Sequence, residues 1–366
     1  PADRAHTLDV AAFVGGREVA RVELVVDGER TPVPGLADVP AGALIVPNAS
    51  DLTWAEVALD AATIDGLPGN LADVPDASAR SVLWVSLLGS VARGEVDPRT
   101  VLSVFVAAWP REDSAAVLSR VSLLMTNQVV PLFLPPGEQE GARARVADAA
   151  DALLERSASV AGASGDALAV LAARVWARTG VDEDRLRRWA AGDGIPEVLV
   201  GDDDFRWSVL RRLATFGVLG DDEIAAAEAA DRSLAGSLAA LGVRAVRPTA
   251  QAKEWAWGRL RDDADLSNYA ALAIAGGFWT APDAALVRPY VAQVGDLLVG
   301  LSGRMGDDAV SRVVSAVRPT SLVEDGTLEA SAAMLARADL TPGVRRALVD
   351  ANHELREALA SRRRFD

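Results

Sequence analysis

The chain contains no cysteine among its 366 residues and only two histidines, His6 and His353. Without cysteine it forms no disulfide bond, holds no thiolate-bound metal and has no thiol nucleophile. A serine nucleophile needs a nearby base, and the helical region described below offers only His353. We therefore predict neither a cysteine nor a serine hydrolase site.

Basic charge is also scarce, because 37 basic residues face 52 acidic ones and Lys253 is the only lysine. The net charge of −15 argues against a nucleic-acid partner, which would require a basic face. Apolar runs near Val82–Leu88 and Ala270–Trp279 are shorter than the ~20 residues that span a bilayer. No basic and apolar leader opens the chain, so we expect a soluble, cytoplasmic protein. It starts at Pro1 without an initiator methionine, and we expect it to be a piece of a longer polypeptide.

The first 60 residues have the alternating pattern of β-strands. The first two segments have a period of two, Gly15-Gly16 between them is typical of a hairpin turn, and two further segments are strand candidates. The predicted strands are Leu8–Val14, Ala20–Val26, Ala43–Val46 and Thr53–Leu59. Since four short strands make a thin sheet, we interpret residues 1–62 as the remnant of a β-sandwich.

Beyond the sheet the sequence predicts helices. Gly66-Leu67-Pro68-Gly69-Asn70 breaks the pattern, so residues 63–75 are predicted to be a linker, and residues 76–366 a helical domain of about fifteen helices. Several helices are apolar on two sides, which is typical of helix pairs stacked into a solenoid. We therefore predict a mainly α protein, a bowl-like superhelix of antiparallel helix pairs behind a small β region.

Helix ends are marked by capping residues. Predicted start signals are side chains that can accept a hydrogen bond from the first turn, several of them followed by proline: Asp97, Ser114, Ser164, Asp182, Thr249, Thr280 with Pro282, and Thr341. Predicted stop signals are glycines: Gly94, Gly180, Gly192, Gly217 and Gly220.

Acidic clusters are the first candidates for a metal site. Asp202-Asp203-Asp204 resembles the magnesium-binding DDxxD motif, but the third acid would fall on Arg206. Asp262-Asp263 with Asp265, and Asp221-Asp222-Glu223, also precede apolar helical patterns. A carboxylate at such a position caps free N–H groups and favours the positive end of the helix dipole. We therefore interpret all three clusters as helix caps.

Several sequence blocks in a fixed order resemble the C-terminal domain of the aminopeptidase N family of zinc metallopeptidases, in its actinobacterial form. The resemblance is carried by residues 48–60, where Ala49 and Ser50 replace acids and Trp54 replaces tyrosine, and by residues 80–95, 203–217, 246–257, 266–268 and 277–279. Residues 126–182 agree only in their helical pattern. The resemblance implies a helical wall that closes over a zinc-containing catalytic domain and contacts the distal part of a peptide substrate.

The zinc-binding and substrate-recognition motifs of that family are missing from the chain. Its zinc site requires HExxH, and its substrate site requires GxMEN. His353-Glu354-Leu355-Arg356-Glu357 begins like the first motif, but Glu357 stands where the second histidine should be. We therefore assign no catalytic residue and no metal ligand to this chain, and expect zinc in a catalytic domain of the same polypeptide.

Four residues are candidates for contact with the peptide: Arg206, Lys253, Arg304 and Trp207. In relatives, basic residues on the inner face can meet the far end of the peptide, and a guanidinium pairs well with a carboxylate. The simpler interpretation is that these cations pair with neighbouring acids, and that Trp207, Trp255, Trp257 and Trp279 are packing residues. Two other functions stay open: a stand-alone helical scaffold for protein interactions, and an all-α enzyme with its own site.

Overall fold

The computed structural model describes residues 5–280, 283–317, 319 and 322–366. Its described part contains three strands: β1 (His6–Val14), β2 (Arg17–Val26) and β3 (Leu44–Pro47). Both edges of β1 are paired, because the antiparallel sheet has the order β2-β1-β3. Gly15 and Gly16 form the predicted hairpin turn with positive φ angles of 52° and 75°. The predicted small β region is confirmed.

The fourth predicted strand, Thr53–Leu59, is not a strand in the structure. After β3 the chain turns through Asn48 and Asp51, whose φ angles of 55° and 52° are left-handed. The side chain of Asn48 then holds both the N–H and the carbonyl of Thr53. Trp54 is fully exposed, so the alternating pattern here has no surface to bury its apolar side.

From Ala61 onward the described chain is mainly helical, and the mainly α prediction is confirmed. The helices are α1 (Ala61–Asn70), α2 (Ala77–Ala92), α3 (Pro98–Ala108), α4 (Ala115–Leu124), α5 (Pro136–Ser157), α6 (Ala163–Thr179), α7 (Glu183–Ala190), α8 (Asp203–Thr215), α9 (Asp221–Ala230), α10 (Leu234–Val246), α11 (Ala250–Asp262), α12 (Asn268–Phe278), α13 (Val294–Ser302), α14 (Asp307–Val317), α15 (Asp325–Leu335) and α16 (Pro342–Phe365).

The predicted linker at 63–75 instead contains most of α1. Asp60 caps this helix by accepting a hydrogen bond from Thr63 N, and Leu67 is completely buried. Pro68 lies inside the helix, where it lacks the N–H that would bond to the preceding turn. The stabilisation from burial of Leu67 and from the Asp60 cap therefore outweighs the cost of the glycine and proline residues, which favour a break in the helix.

Most of the predicted helix boundaries agree with the structure. Five predicted start residues are N-caps whose side chains accept a backbone N–H: Asp97, Ser114, Asp182, Thr249 and Thr341. Ser164 lies one residue inside α6, and Pro282 lies outside the described residues. Gly220 differs from the prediction, because it begins α9 and does not end α8.

The chain divides into two compact units. The first comprises the described residues through Val130, together with Arg145–Ala172 and Phe365. Its core contains the sheet and α1 to α4, with a buried ion pair in which Arg80 Nη2 lies 2.8 Å from Glu112 Oε1. Trp84, Phe105 and Trp109 are completely buried there.

The second unit comprises Pro131–Ala144, the described residues of Ala173–Arg364, and Asp366. In it α8, α10, α12 and α14 pack one on the next, while α9 and α11 lie against α10. This layering is typical of stacked helix pairs. Trp257, Phe278, Trp279 and Tyr290 form an aromatic cluster with ring centroids 4.8–6.2 Å apart. The predicted packing role of Trp257 and Trp279 is confirmed, because each is only 2% exposed.

Two described segments, Ala115–Phe133 and Ala284–Ser302, are long and apolar enough to cross a membrane by length and composition. The longest apolar runs predicted from the sequence, Val82–Leu88 and Ala270–Trp279, lie elsewhere and are shorter. Core helices of proteins that do not enter membranes pass the same test. Leu118 in the first segment and Leu298 in the second are completely buried by protein, as expected for core helices.

Helices α10 and α12 cross with their backbones in contact. A Cβ atom on Gly277 would lie 2.6 Å from Gly242 O, 2.9 Å from the Ala245 side chain and 3.1 Å from Val246 N. Only a hydrogen fits in this space, so glycine is required by the close approach of the two helices. The same crossing places Gly276 at the surface, where an added Cβ meets nothing within 4 Å.

We predict that Gly277→Ala lowers the free energy of unfolding by about 1–3 kcal/mol, the usual cost of overpacking a core. Gly276→Ala is the matched control, and helix propensity alone should stabilise it by up to about 1 kcal/mol. Urea unfolding of the two variants measures both values. Equal stability of the two variants would contradict the proposed contact between α10 and α12.

Candidate functional site

The four predicted contact residues bind groups of the protein itself. Arg304 donates to Asp263 O at 2.5 Å and Leu260 O at 2.8 Å, at the end of α11. Arg206 Nε donates to Ala190 O at 3.3 Å, at the end of α7. Trp207 is buried and donates from Nε1 to Asp231 Oδ2 at 2.9 Å.

The partners of these cations differ from the acids that we expected. Among the described residues, neither Arg206, Lys253 nor Arg304 forms an ion pair with a carboxylate, and each donates to backbone carbonyls. The carbonyls are those left free at helix C-termini, where the helix dipole also favours a cation. Sequence spacing could not show this, because it does not reveal which helix ends meet.

Lys253 is completely buried although it is a cation in water. Its Nζ donates to Ala245 O at 2.8 Å, to Thr280 O at 3.3 Å and to Gly277 O at 3.4 Å. Burial, with a smaller effect from the nearby cation Arg211, lowers the pKa of Lys253 from 10.5 to about 7. As it lies, Lys253 is out of reach of a peptide.

Lys253 ends a row of four cations contributed by three helices. Arg174 and Arg178 lie one turn apart on α6, Arg211 lies on α8 and Lys253 on α11. Each cation acts on its neighbour: Arg174 lowers the pKa of Arg178, Arg178 that of Arg211, and Arg211 that of Lys253. We call Arg174, Arg178, Arg211 and Lys253 the basic row.

Desolvation is the larger cause of the lowered pKa of Arg178 and Arg211. Arg178 is nevertheless exposed and Arg211 is half-buried. Protein therefore partly surrounds two guanidinium groups that water still reaches, so a charged ligand there is screened less than on an open surface.

The crossing of α10 and α12 positions Arg211. Its Nη2 donates to Gly276 O at 2.6 Å, and its Nη1 lies in the space left by the missing side chain of Gly242. A Cβ on Gly242 would come within 3.0 Å of that nitrogen. The two helix backbones therefore fix the guanidinium without any acidic partner.

Carboxylates balance only one end of the basic row. Arg174 Nη2 lies 2.6 Å from Asp202 Oδ2. Within the described parts of the chain, Arg178 has no hydrogen-bond acceptor and no ion-pair partner, and Arg211 donates only to a carbonyl. In a chain of net charge −15, an unbalanced pair of arginines is an unusual feature. Such a pair can bind an anion, since guanidinium groups match a carboxylate with two parallel hydrogen bonds.

Arg174, Arg178 and Arg211 were not among the site residues predicted from the sequence. The available signal was Arg174 and Arg178 at a spacing of four, which places both on one face of α6. That segment resembles the family only in its helical pattern, so no site residue was predicted in it. Arg211 could not be found without knowing how α8 meets α10 and α12.

The described residues do not include a group of side chains that fits a zinc site. His353 Nε2 lies 3.1 Å from Glu357 Oε1, and His6 Nδ1 lies 3.1 Å from Thr53 Oγ1. In the described ranges no three histidine, aspartate or glutamate side chains are grouped to hold a metal ion. Three protein ligands are the minimum in catalytic zinc sites.

The acidic clusters are helix caps in two of the three predicted places. Asp202 accepts from Phe205 N at the start of α8, and Asp221 to Glu223 form the first turn of α9. Our interpretation of the third cluster was wrong. Asp262 ends α11 and pairs with Arg261, while α12 is capped by Ser267.

The family model described as the ERAP1-like C-terminal domain matches residues 44–357. The chain is also 27% identical to aminopeptidase N of Streptomyces lividans over 364 residues. That alignment covers 98% of this chain but only 42% of the relative, so the chain spans about two fifths of the relative's length.

We predict that Lys253 titrates near pH 7. Because it is the only lysine, protein labelled with ¹³C at lysine Cε gives one lysine signal, and its shift with pH reports this pKa directly. A midpoint near the lowered value of about 7 is expected. A midpoint near 10 would contradict the burial of this amine.

The pH dependence of stability should follow from the same shift. Between about pH 7 and pH 10.5 the unfolded chain keeps a proton that folded Lys253 has lost, so raising the pH favours the folded state. The unfolding free energy should therefore rise relative to Lys253→Met by up to about 1.4 kcal/mol per pH unit. Urea unfolding of both proteins at several pH values measures the difference, and a constant or falling difference would refute the prediction.

Proposed function

Because the chain belongs to the family of ERAP1-like C-terminal domains, we propose that it is the non-catalytic C-terminal part of a zinc aminopeptidase. The parent enzyme would remove N-terminal amino acids from peptides in the cytoplasm. Its zinc would lie in a catalytic domain of the same polypeptide, which is the main partner of this chain. The name of the Streptomyces relative, aminopeptidase N, supports this proposal.

In this proposal the helices form part of the wall that encloses the active site. The wall contacts the distal part of the peptide while the catalytic domain holds its N-terminus. Of the candidates from the sequence, Arg206, Arg304 and Trp207 stay proposed contacts on the peptide path. Lys253 supports the site from inside, as the buried end of the basic row.

One observation carries the peptide contact, namely the unbalanced guanidinium groups of Arg178 and Arg211. An unmodified peptide that is cut from its N-terminus keeps a free carboxylate at its other end. The two oxygens of that carboxylate can accept hydrogen bonds from a guanidinium group. A charge-assisted hydrogen bond contributes about 1.5–3 kcal/mol, which corresponds to about a 10- to 150-fold change in affinity.

The non-catalytic role is tested by comparing this chain with the full polypeptide that contains it. Both are assayed with zinc and an aminoacyl-anilide, which reports N-terminal cleavage without any distal contact. We expect turnover from the full polypeptide and none from the chain alone. Zinc-dependent turnover by the chain alone would overturn the proposal. A full polypeptide without activity would favour a helical scaffold.

We predict that Arg178→Gln in the full polypeptide lowers kcat/KM by about tenfold or more for peptides with a free C-terminal carboxylate. The same peptides ending in a C-terminal amide should be cleaved equally by wild type and variant. Arg178 has no partner within the described chain, so its replacement should leave stability unchanged.

The matched control is Arg312→Gln, which removes an exposed arginine of the same unit that pairs with Asp308 on the surface. It should change neither substrate class. An equal loss with acid and amide peptides, or a loss with the aminoacyl-anilide, would show that Arg178 does not bind the terminal carboxylate.

A further inference from the structure

Helix α16 carries a buried polar side chain in its apolar stripe. Val344, Leu348 and Leu359 face the core at helical spacing, and Asn352 occupies the position between them with only 2% exposure. Its Oδ1 accepts a hydrogen bond from Ser331 Oγ, whereas its Nδ2 has no partner among the described residues. A buried amide N–H₂ without an acceptor is costly, so its presence requires an explanation.

A second unpartnered polar group lies on the neighbouring helix. Thr327 and Ser331 are one turn apart on α15, and Thr327 is 2% exposed. The Thr327 hydroxyl has no hydrogen-bond partner in the part of the chain that the structure describes. Helices α15 and α16 therefore present two free donors, one hydroxyl and one amide.

Both donors belong to the wall of one cavity. The remaining wall is mainly aliphatic, with Val294, Leu298, Val314, Val317, Met334 and Leu348 among its side chains. The space open to the centres of water molecules is about 40 Å³. On that measure one water needs about 10–15 Å³, so the cavity holds about three waters or a short branched aliphatic group.

The charge around the cavity selects the kind of ligand. Its described wall contains no arginine or lysine, and its one ionisable residue is Glu354. Within the described wall a carboxylate ligand would meet the acid Glu354, which disfavours it. A neutral carbonyl oxygen can accept hydrogen bonds from both Asn352 Nδ2 and Thr327 Oγ1. An apolar cavity with a few convergent polar groups is the usual form of a small-molecule site.

We propose that this cavity binds a small neutral carbonyl compound, an amide or ketone on a branched chain of about three to five carbons. The aliphatic chain fills the space beside Leu298 and Met334, and the carbonyl oxygen accepts from Asn352 and Thr327. For a ligand of this size we expect a dissociation constant on the order of 1 mM.

Methionine methyl groups provide a local test. The chain has three methionines, and of Met125, Met305 and Met334 only Met334 lines the cavity. Protein labelled with ¹³C at the methionine methyl groups is titrated with isovaleramide, and Met334→Leu assigns the signals. We expect the Met334 signal to shift with saturation while the other two stay in place. Isovalerate, which has the same shape but a negative charge, should bind about tenfold or more weakly.

Two variants separate recognition of the carbonyl from filling of an apolar space. Asn352→Leu completes the apolar stripe and should abolish the Met334 shift, with thermal unfolding at or above the wild-type temperature showing that it is folded. Thr327→Val keeps the shape and should weaken binding by about fivefold to tenfold. No shift with isovaleramide, equal binding of isovalerate, or unchanged binding by Asn352→Leu would overturn the proposal.

Discussion

The contact between the backbones of α10 and α12 is the constraint on which the second unit depends. Because Gly242 and Gly277 lack side chains, the two helices approach closely enough to bring their last carbonyls together. Gly276 O then meets Arg211, and Ala245 O and Gly277 O meet Lys253. The cations are held by backbone dipoles, so their positive charge is not cancelled by an acid.

In the first unit, by contrast, a buried cation is paired with a carboxylate. Arg80 donates from Nε and Nη2 to Glu112, which is 1% exposed, and from Nη1 to Val74 O at 2.8 Å. Such a pair is fully compensated, and loss of one partner would leave an unpaired charge in the core. Arg80 and Glu112 therefore need no ligand, whereas Arg178 and Arg211 have capacity for one. This difference in compensation separates structural charge from charge available for recognition.

Elements with local signals were predictable from the sequence. The hairpin at Gly15-Gly16 and the caps at Asp97 and Thr341 depend on residues adjacent in the chain, and they agree with the structure. Helix α1 and the segment 53–59 were not predicted correctly, because burial of Leu67 and exposure of Trp54 are decided by distant residues. The basic row was not predicted for the same reason, since Arg211 joins it only through the packing of α8 against other helices.

Some buried helix positions carry polar side chains where burial would favour apolar ones. Lys253 in α11 and Asn352 in α16 both occupy buried positions that apolar side chains would fill without cost. The amine of Lys253 is satisfied by three carbonyls, so its burial is explained within the fold. The amide nitrogen of Asn352 has no such partner in the described chain. A ligand or water can supply a hydrogen bond that is missing from the fold, and for this reason the proposed site is built on Asn352 and not on Lys253.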